Sequence, residues 1–104
     1  MMERFALKIC AKAKIPLSLR RWVAAQCVPM DGRNFSIVLD GGEYRGVLDN
    51  YIEWIIFVTR AYFEYTYLNL LRSIVSGGAA LDVGANVGNH SHAFSAFFDE
   101  VHAF

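Results

Sequence analysis

Near the end of the chain, a carboxylate and two glycines stand at a spacing that favours ligand binding. Residues 79–83 form a short apolar run interrupted by Asp82, and Gly84 and Gly88 follow four positions apart. Gly84 predicts a sharp turn off a strand end, where a Cβ would clash. A helical pattern begins at once, so the segment predicts the strand, glycine turn and helix of a nucleotide-binding α/β unit. The first amides of such a helix point outward and favour an anionic group.

The letters between the glycines narrow the class of cofactor. A pyrophosphate-binding loop has glycines where this chain has Asn86 and Asn89, which argues against NAD or FAD. The same glycine spacing also occurs in plain turns, so spacing alone leaves a cofactor site and a structural turn open. The helix after the turn is predicted to have an apolar face made of phenylalanines, namely Phe94, Phe97 and Phe98.

Two stretches carry a resemblance to a known family. Residues 81–91, Leu-Asp-Val-Gly-Ala-Asn-Val-Gly-Asn-His-Ser, and 101–104, Val-His-Ala-Phe, resemble the first cofactor motif of the FkbM family of S-adenosylmethionine-dependent methyltransferases. That family carries Asp-x-Gly-Ala-Asn-x-Gly at its first strand and Phe-Glu-Pro at the end of its second. Residues 40–76 also look like the family's lead-in, particularly at 62–64. The resemblance implies a Rossmann-like class I fold and O-methylation of a small or sugar-containing metabolite.

The resemblance also implies which residues hold the cofactor. An unpaired carboxylate inside an apolar strand is costly, so Asp82 is expected to accept backbone N–H bonds from the glycine turn. By resemblance it also attracts the ammonium of S-adenosylmethionine. Glu64 is either a solvated side chain or part of a lid over the methionine end of the cofactor. The full set of expected cofactor-binding residues is Glu64, Asp82, Gly84, Ala85, Asn86, Gly88 and Asn89.

The sequence indicates no catalytic base and no metal site. His90 and His92 stand two positions apart, so a helix places them on different sides, and His90 is expected to have no catalytic role. Cys10 and Cys27 lie in apolar surroundings without metal-ligand spacing, which indicates free thiols in a reducing cytoplasm. No metal is therefore predicted, and the methyl acceptor is expected to be a small molecule.

The middle of the chain predicts a hairpin followed by two helices. Residues 35–39 and 43–47 read as strands around a glycine turn at 40–42. A helix from 51 to about 60 is expected to be capped by Asp49 or Asn50. A second helix, from 62 to 75, has an apolar stripe that is expected to face the core, consisting of Phe63, Tyr67, Leu70, Leu71 and Ile74.

Residues 1–30 read as a basic helical extension, and residues 31–104 as the hairpin, the helices and the first β-α-β part of the methyltransferase domain. The extension has a formal charge of +5 and the remainder −5. Two helical patterns flank Pro16, and Ser18 is expected to cap the second. A basic stripe recurs every four residues beside an apolar one; the stripes are Arg4, Lys8 and Lys12, and Phe5 and Ile9.

The extension admits two interpretations. It can pack on the acidic remainder, or it can rest on an anionic membrane surface or act as a transit peptide, so peripheral membrane contact through residues 1–27 stays open. Hydrophobic residues make up 55% of the chain and charged ones 19%, which indicates a packed domain. The formal net charge is zero, so no overall field recruits nucleic acid. The apolar runs are too short, and too often interrupted by charges, to cross a bilayer.

The predicted fold class is therefore α/β, the start of a Rossmann-like methyltransferase domain with an incomplete parallel sheet, preceded by helices and a hairpin. We expect the 104 residues to be an N-terminal fragment without the acceptor site, which binds S-adenosylmethionine weakly or not at all. A non-catalytic interaction module and a membrane-surface protein are the alternatives. The sequence indicates no oligomeric state.

Overall fold

The computed structural model describes residues 1–12 and 14–104, and the fold is α/β, with five helices and two small sheets in the described ranges. None of the helices in these ranges is both long and apolar enough to cross a membrane. In chain order the elements are α1 (Met2–Cys10), α2 (Leu17–Cys27), β1 (Asn34–Leu39), β2 (Gly42–Val47), α3 (Tyr51–Thr59), α4 (Tyr65–Ile74), β3 (Ala79–Asp82), α5 (Asn89–Phe94) and β4 (Glu100–Ala103).

The predicted hairpin is confirmed. Strands β1 and β2 pair antiparallel, with Leu39 opposite Gly42 at the turn end of the register. Gly42 has φ of 104°, a conformation in which an L side chain is strained. Gly41 is needed for a different reason, since a Cβ there would overlap the carbonyl oxygen of His92. The hairpin turn therefore lies directly against α5.

Helix α3 begins as expected. The side chain of Asn50 accepts a hydrogen bond from the backbone N–H of Glu53 at 3.0 Å. The carboxylate of Glu53 reaches back and accepts from the backbone N–H of Val47 at 2.8 Å, and from the Asn50 amide at 3.1 Å. The Asn50 side chain thus satisfies a backbone N–H of the first turn that has no partner inside the helix, and the Glu53 carboxylate ties α3 to the end of β2.

Helix α3 is the centre of the hydrophobic core, and both N-terminal helices pack on it. The larger cluster contains residues from both halves of the chain: Ala6, Cys10, Ala24, Val28, Leu48, Trp54, Ile55 and Val58. A second cluster joins the other side of α3 to the hairpin through Ile37, Tyr44 and Ile56. Burial raises the pKa of the Cys10 thiol, and both cysteines are free.

Two details of the N-terminal helices differ from expectation. Helix α1 packs through Ala6 and Cys10, both fully buried, whereas Phe5 on the expected apolar stripe is 65% exposed. Small side chains are buried here because they let α1 approach its neighbours closely. Ser18 does not cap α2, because that helix begins at Leu17 and Pro16 occupies the cap position. Proline suits a helix start, since the missing N–H would have no partner inside the helix.

The predicted core face of α4 is wrong. The helix begins at Tyr65, so Phe63 lies before it, and Leu68 is its buried residue. Tyr67, Leu70 and Ile74 share one side of the helix and are 73%, 62% and 72% exposed. Periodicity identified the residues that share a face, but in the described ranges no element covers that face.

The last two strands form the expected parallel pair. Ala79 lies opposite Glu100 and Asp82 opposite Ala103, and α5 provides the crossover between the strands. Helix α5 is shorter than expected: it ends at Phe94, and Phe97 and Phe98 follow it in a turn. The three rings nevertheless cluster, with centroid separations of 5.0–5.9 Å.

Candidate functional site

The loop between β3 and α5 has left-handed backbone at three alternate positions. The φ angles are 76° at Gly84, 53° at Asn86 and 77° at Gly88. A Cβ at either glycine would meet no atom within 4 Å, so the expected clash at Gly84 is absent and the backbone conformation is what requires glycine. The space above both glycines is open.

Two of the loop amides are already used. The backbone N–H groups of Gly84 and Ala85 both donate to the carbonyl oxygen of Phe104, each at 3.0 Å. By contrast, the N–H groups of Asn86 and Val87 have no acceptor among the described residues. Helix α5 has only six residues and therefore a small helix dipole, so we expect it to attract an anionic group less strongly than the sequence predicts.

Asp82 ends β3 and is only 7% exposed. Its Oδ2 accepts a hydrogen bond from the hydroxyl of Ser91 at 2.5 Å. The sequence had predicted backbone N–H donors from the glycine turn instead. Its other carboxylate oxygen has no hydrogen-bond partner among the described residues and is not sealed from solvent. Asp82 therefore has one oxygen that is free to accept a hydrogen bond from a cationic group, although the residue as a whole is only 7% exposed.

Glu64 is exposed and lies directly before α4. Its Oε2 is 3.1 Å from Nε2 of His90, at the start of α5. Glu64 has φ of 60°, which is rare for a residue with a side chain and costs roughly 1 kcal/mol or more. The contact with His90 places its carboxylate at the first turn of α5, which follows the loop.

Asn89 makes the contact that fixes the Glu64 segment. Its amide oxygen accepts from the backbone N–H of Phe63 at 2.8 Å, and its amide nitrogen donates to the Phe63 carbonyl at 2.9 Å. The side chain is 6% exposed, and both of its polar atoms are engaged in this pair. Asn89 thus positions Glu64 relative to the loop, whereas its expected role was contact with the cofactor.

Tyr44, which the sequence did not single out, supports the loop from the hairpin side. Its hydroxyl donates to the carbonyl oxygen of Val87 at 3.1 Å. Burial, together with the nearby negative charge of Glu53, raises the pKa of Tyr44 to about 12. The hydroxyl therefore keeps its proton, and with it this hydrogen bond, at every pH at which proteins normally act.

His92 provides a second connection between the hairpin and α5. Its Nε2 lies 2.9 Å from the carbonyl oxygen of Glu43, so Nε2 carries the proton in this contact. The unprotonated Nδ1 then accepts the hydroxyl proton of Tyr62 at 2.8 Å, while the Tyr62 oxygen accepts the N–H of Gly41 at 2.9 Å. No sequence signal indicated this chain of bonds, because its members are up to 51 residues apart.

The structure therefore brings together most of the expected cofactor residues. Residues 84–88 form one loop, Asp82 lies at its start, and Asn89 binds the segment that carries Glu64. In the described ranges no group of three or more His, Cys, Asp or Glu side chains could hold a metal ion. Three cavities of the described residues lie elsewhere, around the hairpin and beside α2 and α4.

Comparisons with known proteins found no matching family model, no matching curated protein and no matching solved structure.

Proposed function

We propose that residues 79–104 are the S-adenosylmethionine-binding unit of a methyltransferase, as the FkbM-like motif implies. The observation that supports this most is the placement of Asp82. A carboxylate that ends the first strand of a parallel β-α-β unit has one oxygen held by Ser91, and the other has no hydrogen-bond partner among the described residues, next to a loop whose glycines leave open space. This is the position from which it can attract the ammonium of the cofactor's methionine part.

The other residues support binding in different ways. Gly84 and Gly88 have no side chain, and the space that a Cβ would enter at either position is open. Glu64 offers a second carboxylate, next to His90 at the start of α5. The cofactor supplies the activated methyl group, so the protein's contribution is to orient it and to balance the sulfonium charge. Residues 79–104 contain no candidate base, and the methyl acceptor is proposed from the resemblance alone.

Nuclear magnetic resonance tests this proposal directly. Because the parallel sheet here has two strands, we expect S-adenosylmethionine to bind with a dissociation constant on the order of 1 mM. Its addition should shift the amide signals of residues 84–88, whereas NAD should leave them unchanged. Asp82→Asn keeps the shape and a Ser91 contact but removes the charge, and it should abolish the shifts. The matched control Asp49→Asn, on an exposed carboxylate, should preserve them.

Two results would overturn the proposal. One is the absence of loop shifts at millimolar S-adenosylmethionine in a chain whose spectrum is otherwise well dispersed. The other is an Asp82→Asn variant that binds as tightly as the original chain, since the carboxylate would then have no part in recognition.

A second candidate is a non-catalytic interaction module. Tyr67, Leu70 and Ile74 form an exposed apolar face on α4, and exposed faces of this kind are typical of protein contact sites. Size-exclusion chromatography that shows a stable complex, disrupted by Leu70→Asp and unaffected by S-adenosylmethionine, would favour this function. A monomer at all concentrations would count against self-association through this face.

A further inference from the structure

A cavity that shares no residue with the glycine loop lies between α2 and the start of α3. Its volume is about 480 Å³, which is within the range of small-molecule sites. Apolar and aromatic side chains make up most of the lining, and the cation among them is Arg21. The lining residues used below are Arg21, Trp22, Val28, Met30, Tyr51 and Trp54.

The floor of this cavity is fixed by buried groups. Trp54 and Val28 are 6% and 3% exposed, and the indole N–H of Trp54 donates to the carbonyl oxygen of Val28 at 2.9 Å. The ring of Tyr51 stacks beside Trp54, with a centroid separation of 6.1 Å and an interplanar angle of 21°. Two nearly parallel aromatic rings held in this way offer a flat surface to another ring.

The rim, by contrast, is exposed. Trp22 is 63% exposed, Met30 56% and Tyr51 50%, although each is a large apolar side chain. A flat apolar molecule seated between them would remove this surface from water, at roughly 25 cal/mol for each Å² covered. An occupant would therefore bury apolar surface at the rim, whereas the residues of the floor are already packed and hydrogen-bonded without one.

Arg21 decides the charge of the occupant. Its guanidinium forms no ion pair with a carboxylate of the described residues, and its Nε, like that of Arg20, is buried without a hydrogen-bond partner among them. Some other arginines do have such partners, since Arg33 pairs with Glu3 and Arg72 with Asp40. Arg4, Arg20 and Arg60, like Arg21, form no ion pair with a described carboxylate. The buried Nε cannot reach an occupant of the cavity, so the terminal nitrogens of the guanidinium are the donors that a carboxylate can contact, and such charge-assisted hydrogen bonds are stronger than neutral ones.

We propose that this cavity binds an aromatic monocarboxylate of one or two fused rings. The carboxylate pairs with Arg21, and the ring lies against Tyr51 and Trp54, beneath Trp22. The proposal does not depend on S-adenosylmethionine binding, because the two sites share no residue.

The two tryptophans of the chain, Trp22 and Trp54, both line this cavity, so their indole N–H signals report on it alone. We expect 1-naphthoate to shift both signals in a nitrogen-15 spectrum. The neutral alcohol 1-naphthalenemethanol has the same ring system without the charge and should bind at least about tenfold more weakly. Decanoate, which has the charge without a flat ring, should also bind more weakly than 1-naphthoate.

Variants separate the charge from the shape of the guanidinium. Arg21→Gln should bind the acid and the alcohol equally, and Arg21→Lys should restore part of the preference because it keeps a point charge. The control Arg4→Gln, on an exposed arginine of α1, should behave as the original chain does. Equal binding of acid and alcohol by the original chain, tighter binding of decanoate, or no indole shift at millimolar 1-naphthoate would each overturn the proposal.

Discussion

The region around α3 and the β3–α5–β4 unit are held together by different kinds of contact. Around α3 most of the buried side chains are apolar, and the large ones Leu48, Ile56 and Val58 are at most 1% exposed. In residues 79–104 the buried side chains are two alanines and two polar groups, Asp82 and Asn89. Apolar burial provides stability without direction, whereas hydrogen bonds fix particular atoms in place. The first region therefore stabilises the fold, and the second defines the geometry of the candidate site.

The same comparison explains how the loop is anchored. Tyr44, Tyr62 and Asn89 each join the β3–α5–β4 unit to earlier elements through a hydrogen bond to the backbone or to a ring nitrogen. Tyr44 belongs to both regions, because its ring packs in the hairpin cluster and its hydroxyl holds Val87. A small number of hydrogen bonds therefore fix the position of the loop relative to the core.

The largest expected effect follows from removing an apolar side chain in the first region. Ile56 is fully buried, so Ile56→Ala should lower the free energy of unfolding by about 2–5 kcal/mol, through lost burial and the cavity left behind. Ile74→Ala is the matched control: Ile74 is 72% exposed, and its loss should change stability by about 0.5 kcal/mol or less. Urea unfolding measures both. If Ile74→Ala lowered the free energy of unfolding as much as Ile56→Ala does, α4 would also be packed against a partner.

A smaller and local effect is expected from Asn89→Ala. The change leaves the backbone N–H and carbonyl of Phe63 without their partners, at a cost of about 1–3 kcal/mol. Because the contact is local, the amide of Phe63 should exchange with solvent faster, while amides in α3 should change much less. Asn69→Ala, on the exposed side of α4, provides the control. If exchange quickens uniformly along the chain, the two regions unfold as one.

The smallest effect at neutral pH is expected from Tyr44→Phe, which removes one hydrogen bond worth about 0.5–1.5 kcal/mol. Its pH dependence is more informative. The folded-state pKa of Tyr44 is about 12, against an ordinary value of 10.0. The unfolded chain therefore loses the tyrosine proton first, and the stability that Tyr44 contributes is lost as the pH rises from about 10 to about 12.

Urea unfolding of both proteins at about pH 8 and about pH 11 checks this sign. The original chain should lose more stability between the two pH values than Tyr44→Phe does. Some decline should remain in the variant, because burial also raises the pKa of Tyr62. A parallel decline in the two proteins would show that the Tyr44 hydroxyl is not buried against the loop.

Elements with a strong local signal were predicted well. The glycine turn of the hairpin and the Asn50 cap of α3 depend on neighbours within four residues, and both were confirmed. The parallel pairing of β3 with β4 was also expected, since a strand, a helix and a strand in sequence favour it. Helix α5 was predicted too long because the Phe97 and Phe98 cluster resembles a helical face while belonging to a turn.

The sequence by itself determined that Asp82 lies in a strand, that glycines follow it, and that the segment turns into a helix, because each depends on short-range backbone preferences. Tertiary structure alone decided that Ser91 binds Asp82, that Asn89 holds Phe63, and that the apolar face of α4 is exposed. Periodicity shows which residues share a face, but the partner of that face is set by how distant segments pack. The same limit hid the cavity beside Arg21, whose lining comes from two helices and the segment between them.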